Sequence, residues 1–233
     1  MLELFPEGFE EVEDGTDVEL VAYTDASGEE RLWHTFGGAR TADVEAGWEE
    51  RWRSFHQPVV IGPVWVGPPW VERPSDRPAV VIDPGRAFGT GAHATTRLCL
   101  ELVLEGPRGS LLDLGCGSGV LAIAAAVVGF APVIAVDVDP VAIEATRANA
   151  VVNGVVVEAV LADAESDSLP TTRTAVLNIT HAAAVHVASR LRCDRLVTSG
   201  YLVSDPLELP GFRHVRRLDA EGWAADLWEV RSE

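Results

Sequence analysis

The stretch SLLDLGCGSGVLAIAAA, from Ser110 to Ala126, limits what this chain can fold into more than any other. Leu111 to Leu114 read as a short apolar strand that breaks into glycine at Gly115, Gly117 and Gly119 before a helix opens near Val120. Glycines at such a turn let the backbone come close to a ligand, and the amides that begin the helix offer donors to its polar part. Strand, glycine turn and helix make half of a nucleotide site. The following segment, PVIAVDVDP, gives a second strand ending in Asp137, where an acid in a doubly wound sheet accepts hydrogen bonds from both hydroxyls of a ribose. The combination predicts a ligand that carries an adenosine.

The glycine spacing is G-x-G-x-G rather than the G-x-G-x-x-G of dinucleotide sites, so room for a pyrophosphate is not advertised. Asp113 stands just before the turn, and a carboxylate there suits a ligand with a cationic part. DLGCGSG resembles the first motif of class I S-adenosylmethionine-dependent methyltransferases, and VDVDP resembles their second. The competing reading is a Rossmann-like domain whose crevice is structural only.

A chain of 233 residues holds one full domain and one small one. No run of eighteen apolar residues is present, and no basic segment followed by an apolar one opens the chain, so a cytoplasmic protein is expected. Cys99, Cys116 and Cys193 are far apart and form neither a C-x-x-C pair nor a metal cluster; reduced thiols are expected. The net charge of −18 disfavours a direct nucleic-acid partner and favours a basic one. All 18 bases are arginine. That bias fits either a skewed genomic base composition or a lysine-modifying enzyme that has no lysine of its own to modify.

In chain order, Val18, Leu20 and Ala22 alternate as in a strand, and SGEERLWHTFGG suggests a short helix. Val44, Trp48, Trp52 and Phe55 share one face of a helix from Ala42 to Phe55, which is expected to pack on a core. VVIG and VWVG are short extended segments, and PPWVERPSDRPAV is a proline-rich connector. The expected organisation is a small α+β amino-terminal substrate-recognition domain over 1–40, a linker helix and connector over 41–78, and an α/β catalytic domain over 79–233. A strand through Ile82 leads into a loop with Gly85, Phe88, Gly89, Thr90 and Gly91, then a helix from about Ala94 to Leu104 carrying Thr95 and Thr96. Such a loop suits the carboxylate of a small zwitterion near the helix start. Further strands are expected at Val133 to Asp137, Val155 to Leu161, AVLNIT and LRCDRLVTSG, and a hairpin of FRHVRRLD and WAADLWEV turns near Glu221 and Gly222. The fold expected is a mostly parallel, seven-stranded Rossmann-like sheet with an antiparallel carboxy-terminal hairpin.

GWEERWRSFHQPVVIGPVWVGPPW, IDPGRAFGTGAHATT, LLDLGCGSGVLAIAA, AVDVDPVAIEATRANAVVNG and VLNI together resemble the ribosomal protein L11 methyltransferase (PrmA) family. The resemblance implies a class I methyltransferase that uses S-adenosylmethionine on lysine ε-amines, or a terminal α-amine, of a basic ribosomal protein. It also implies roles. Phe88, Gly89, Thr90, Gly91 and Thr96 fall on contacts to the methionine part of the cofactor; its glycine turn falls on Gly115 and Gly117, with Asp113 before it and Cys116 within it also expected at the cofactor; Asp137 takes the ribose. Asp163 stands next to the adenine, and Asn178 beside both the transferable methyl group and the incoming amine, as the expected catalytic residue. No metal is implied, and a monomer is expected.

The chain departs from the family where GTGAHATT puts Ala92 and Ala94 in place of a histidine and an acid, and where Thr180 and His181 follow the asparagine motif. A methyltransferase for a small-molecule nucleophile, or a cofactor-binding regulatory module, are the alternatives. His93 either lines the entrance or makes a loop hydrogen bond. His181 and His186 are badly spaced for a shared metal, and His34, His56 and His214 suggest no role. Methyl transfer to an amine needs placement and a neutral nucleophile more than a strong base.

Overall fold

The computed structural model describes residues 10–14, 17–21, 32–33, 35–36, 38–40, 56–84, 89 and 91–231. The expected helix from Ala42 to Phe55 and the loop residues Gly85, Phe88 and Thr90 lie outside them. The chain divides into two compact units, Met1–Trp52 and Arg53–Glu233. In the first, β1 (Glu10–Asp14) and β2 (Asp17–Val21) form an antiparallel hairpin with Asp14 opposite Asp17. β2 takes in Val18 and Leu20 of the expected strand, Ala22 lies outside the described residues, and β1 is the unanticipated partner.

In the second unit, β3 (Val59–Ile61), β4 (Val64–Gly67) and β5 (Ala79–Val81) make a small sheet, antiparallel and then parallel. The chain continues through α1 (Ala94–Leu104), β6 (Leu111–Leu114), α2 (Val120–Val127), β7 (Val133–Asp137), α3 (Pro140–Asn153) and β8 (Glu158–Leu161). It closes with β9 (Thr172–Asn178), α4 (His181–Ala188), β10 (Cys193–Leu202), β11 (Phe212–Ala220) and β12 (Trp223–Val230). The large sheet has seven strands in the order β11-β12-β10-β9-β6-β7-β8. All neighbours are parallel except β12, which runs antiparallel to both β10 and β11.

This order places a switch beside β6. The chain moves from β6 outward to β7 and β8, then returns to β9 on the other flank and moves out to β10. Open α/β sheets bind ligands in the crevice at such a point, outside the carboxyl ends of the strands. Gly115 and Asn178 both stand there, at the ends of adjacent strands β6 and β9.

Parallel strands covered on both faces read as continuous apolar runs, and LLDL is buried at every position. The period of two sends Leu112 and Leu114 to one face, with Leu177, Leu196 and the α4 residues Ala184 and Val187. Leu111 goes to the other, among Leu98 and Leu102 of α1, Ile123 of α2, Ile143 of α3 and Val66 and Val80 of the small sheet. Truncating one such buried leucine to alanine costs about 2–5 kcal/mol. The small sheet is thus part of the larger unit's core.

Local chemistry sets the ends of α3. Asp139 caps it by accepting from the Val141 N–H at 2.8 Å, Pro140 occupies its first turn, and Gly154 closes it with φ 64°. The N–H of Val155 returns to the carbonyl of Ala150 and that of Gly154 to Val151, so β8 starts at Glu158 and not at the expected Val155. The final hairpin turns through Glu221 and Gly222, with φ 55° and 81°, the positive pair that a two-residue turn between twisted strands requires.

Residues 203–211, between β10 and β11, contain no helix. Beside them the sheet carries a polar network instead. Asp226, 1% exposed, accepts from both Arg217 Nε and Nη2, from Tyr201 Oη and from His214 Nε2. Burial opposes its charge, but these bonds hold its carboxyl below the ordinary carboxylate range.

Candidate functional site

The glycine turn is wired to the strands beneath it. The N–H groups of Gly115 and Cys116 donate to the Val136 carbonyl at 2.9 and 3.1 Å, and that of Gly117 donates to Asp137 Oδ2 at 3.0 Å. The amides of Gly115 and Cys116 are thus spent on the backbone of β7, and that of Gly117 holds the Asp137 carboxylate against the turn. Asp137 is half-buried, and its Oδ1 accepts from the Asp139 N–H at 3.0 Å, leaving the outer lone pairs of its two oxygens for hydroxyl donors.

Asp113 faces the α2 side of the sheet and is wholly buried. Its Oδ2 accepts from the Ala122 N–H at 3.1 Å, while Oδ1 has no hydrogen-bond partner. Burial pushes its carboxyl up to about 7; the Ala122 bond pulls the other way, and the charge of Asp137 adds to the rise. An orphaned carboxylate oxygen beneath a ligand crevice fits a ligand bearing an ammonium.

Cys116 is buried, with Sγ 3.4 Å from Thr146 Oγ1, and burial raises its thiol to about 12. Its side chain faces α3, so its place at the site is a backbone one. Asp163 follows β8; its oxygens accept from the Glu165 N–H at 2.8 Å and Ser166 Oγ at 2.9 Å, and the Glu165 bond first, then Ser166, lowers its carboxyl. Val138 and Leu161 next to these acids are 66% and 55% exposed, apolar surface at the strand ends that a purine ring would cover.

Two residues from distant parts of the chain meet at the switch point. Asn178 Nδ2 donates to Thr96 Oγ1 at 3.5 Å, joining the end of β9 to the first turn of α1. Thr96 is 1% exposed and Asn178 half-buried. His93 caps α1, its Nδ1 accepting from the Thr95 N–H and lying 2.8 Å from Thr95 Oγ1, and its ring stands edge-on to Trp223 at 5.1 Å. Of the loop residues, the Gly89 carbonyl accepts from Ser118 Oγ, and Gly91 lies on Val66 of β4. Phe88 and Thr90 lie outside the described residues.

Residues on one face of α3 brace this arrangement and were missed by the sequence reading. Thr146 Oγ1 donates to the Gly117 carbonyl at 3.0 Å. Asn149 Nδ2 donates to the Ser118 carbonyl at 2.9 Å, while its Oδ1 accepts from the Asp83 N–H at 3.1 Å. Asn153 takes both sides of Val81, accepting from its N–H at 2.8 Å and donating to its carbonyl at 2.7 Å. The signal lay in the spacing: positions 146, 149 and 153 are three and four apart, a polar stripe on a helix face turned inward.

His181 and His186 turn out to lie on α4, a helix the sequence reading did not place. His181 Nε2 is 3.1 Å from the Pro206 carbonyl and His186 Nε2 is 3.3 Å from that of Glu165. No cluster of metal-binding side chains occurs among the described residues, and none of their helices is long and apolar enough to cross a membrane. A cavity of about 290 Å3, lined by Asp167, Leu169, Arg190 and Arg192 among others, lies beside the first residues of β9 and β10, at the other end of the strands from this site. Arg190 there is committed to the carbonyls of Ala164, Ser166 and Asp167.

A parallel sheet with a switch at its first glycine turn, an acid closing the second strand and an antiparallel terminal hairpin define a Rossmann-like domain of the class I methyltransferase type. A crystal structure of ribosomal protein L11 methylase from Lactobacillus delbrueckii subsp. bulgaricus has the same fold, with TM-score 0.66 and 24% identity, covering 76% of this chain and all of that one. The family model of Ribosomal protein L11 methyltransferase (PrmA) matches residues 11–204, and the chain belongs to that family. The protein of that name from Symbiobacterium thermophilum is 38% identical over 201 residues, 78% of this chain and 66% of the relative. That from Synechococcus elongatus is 49% identical over 113 residues, 47% of this chain and 38% of the relative. The chain thus matches 66% or less of the length of these relatives.

Proposed function

We propose that this protein transfers methyl groups from S-adenosylmethionine to amines, chiefly lysine ε-amines, of a basic ribosomal protein in the cytoplasm. The observation that carries the reading is the pairing at one switch point of an orphaned acid, Asp113, a strand-end acid, Asp137, and the Asn178–Thr96 contact. The first suits the ammonium of a methionine group, the second a ribose, and the third an acceptor. Family membership and the names of its relatives supply the substrate class.

S-Adenosylmethionine, when bound, supplies a methyl carbon already activated by a sulfonium. Asp137 holds the ribose hydroxyls, and the Gly117 bond fixes that carboxylate against the turn. Asn178 spends its Nδ2 on Thr96, so its Oδ1 remains to accept from an N–H of the incoming amine and aim the nitrogen lone pair. A lysine ammonium, with an ordinary pKa of about 10.4, first gives its proton to solvent, and desolvation at the crevice favours the neutral form. Asn178 would then hold the neutral amine nitrogen in line with the activated methyl carbon that the bound cofactor would supply. Placement accounts for most of the rate.

The amino-terminal segment is the proposed recognition element, because EGFEEVEDGTD and SGEE concentrate acid where a lysine-rich protein is to be drawn in. The enzyme then acts as a monomer without nucleic acid. Calorimetry with S-adenosylhomocysteine tests the cofactor assignment, with NAD as control. Binding of the first and not the second is expected, and Asp137→Ala should weaken it by about 1.5–3 kcal/mol through the lost ribose bonds. Preferential binding of NAD would overturn the assignment.

A further inference from the structure

Ile179 directly follows Asn178, and it is held on two sides by positions that only glycine fits. A Cβ built on Gly115 would lie 2.4 Å from Ile179 Cγ2. One built on Gly200 would lie 2.0 Å from the Ile179 carbonyl oxygen and 2.7 Å from its carbonyl carbon. These separations are inside hard-sphere contact, and both glycines have positive φ, 74° and 100°. Gly200 reaches this place through a register shift in β10 between Ser199 and Tyr201, next to the pair that Ser199 makes with Asn178. Ile179 therefore has its methyl on the glycine turn after β6 and its backbone on the bulge of β10.

We infer that Ile179 is a positioning residue, a wedge that transmits the place of the glycine turn to Asn178. The identity of the ligand and of the amine rests on the methyltransferase reading above; the wedge itself rests on the two glycine contacts. Any shift of the turn toward or away from a ligand pushes or releases the Cγ2 methyl, and the adjoining residue is the one that faces the acceptor. Gly200 stops the Ile179 backbone from yielding on the far side. The turn and the acceptor-guiding amide then move together.

Substitutions separate this role from ordinary packing. Ile179→Ala removes the methyl, and it should lower kcat by about tenfold while changing S-adenosylhomocysteine affinity less than about threefold. Ile179→Val keeps a methyl on Gly115 and should restore most of the turnover lost in the alanine variant. Gly115→Ala should lose about tenfold in S-adenosylhomocysteine affinity, and combining it with Ile179→Ala should regain at least about threefold of that, because the opposing methyl has gone. Melting of the ligand-free chain gives a readout independent of chemistry: the double variant should lie closer to wild type than the sum of the two single losses. Additive losses in both measurements, a valine variant as impaired as the alanine one, or an alanine variant with unchanged kcat would each overturn the wedge. A wild-type protein that binds no S-adenosylhomocysteine overturns the methyltransferase reading instead, and the melting cycle then decides the wedge alone.

Discussion

Asp113→Asn is the perturbation that bears most on how the crevice recognises its ligand. The wild-type carboxyl is fully buried with Oδ1 unpartnered, and burial raises it to about 7, against a bond from Ala122 and with help from the charge of Asp137. A ligand ammonium brought to that oxygen favours the charged form, so binding expels whatever proton the carboxyl carries. Since burial raises the carboxyl to about 7, ligand uptake should release protons near neutral pH, more at pH 6 than at pH 8. Titration calorimetry with S-adenosylhomocysteine in buffers of different ionisation enthalpy reads this release as a slope. Asp113→Asn should abolish the slope and weaken binding by about 1–3 kcal/mol. Because the folded acid binds its proton more tightly than the unfolded one, ligand-free stability should fall as pH rises from about 4 through about 7, by at most about 1.4 kcal/mol per unit from this group. The substitution should flatten that decline. A wild-type slope of zero between pH 6 and 7, or the same slope in Asp113→Asn, would refute the assignment of Asp113 to the ammonium.

Other substitutions examine the frame and the chemistry separately. Asn149→Ala strands the Asp83 N–H and the Ser118 carbonyl, and it should cost about 1–3 kcal/mol in denaturant unfolding; an unchanged midpoint would mean that water replaces it without loss. Asn178→Ala should lower turnover far more than S-adenosylhomocysteine affinity, whereas equal losses in kinetics and calorimetry would make it a cofactor or folding residue.

The strands that build the crevice were legible because each ends abruptly in chemistry that apolar runs do not contain. LLDL stops at Gly115, VIAVD at its own acid and TAVLN at Asn178, and the structure sets these ends side by side. The start of α3 was legible at Pro140, while its cap at Asp139 and its close at Gly154 came from the structure. α4 was not: HAAAVHVA is only 8 residues, too short for a helical period to rise above an alanine-rich background, and Thr180 at its start makes no side-chain capping bond. Tertiary wiring was the least legible. Nothing local in the sequence shows that the amides of Gly115 and Cys116 turn to Val136, that Asp163 spends its oxygens on its own loop, or that Gly200 must clear the carbonyl of Ile179. Those facts depend on which strands become neighbours, and that is set across the whole sheet.

The central claim is transfer to a protein amine. The most direct measurement incubates the full chain with S-adenosylmethionine labelled in its methyl group and a ribosomal protein fraction, followed by mass spectrometry of the labelled species. Label on amines of one small basic protein, lysine ε-amines foremost, is the predicted result. Label confined to small molecules, or tight cofactor binding with no label transferred at all, would contradict it.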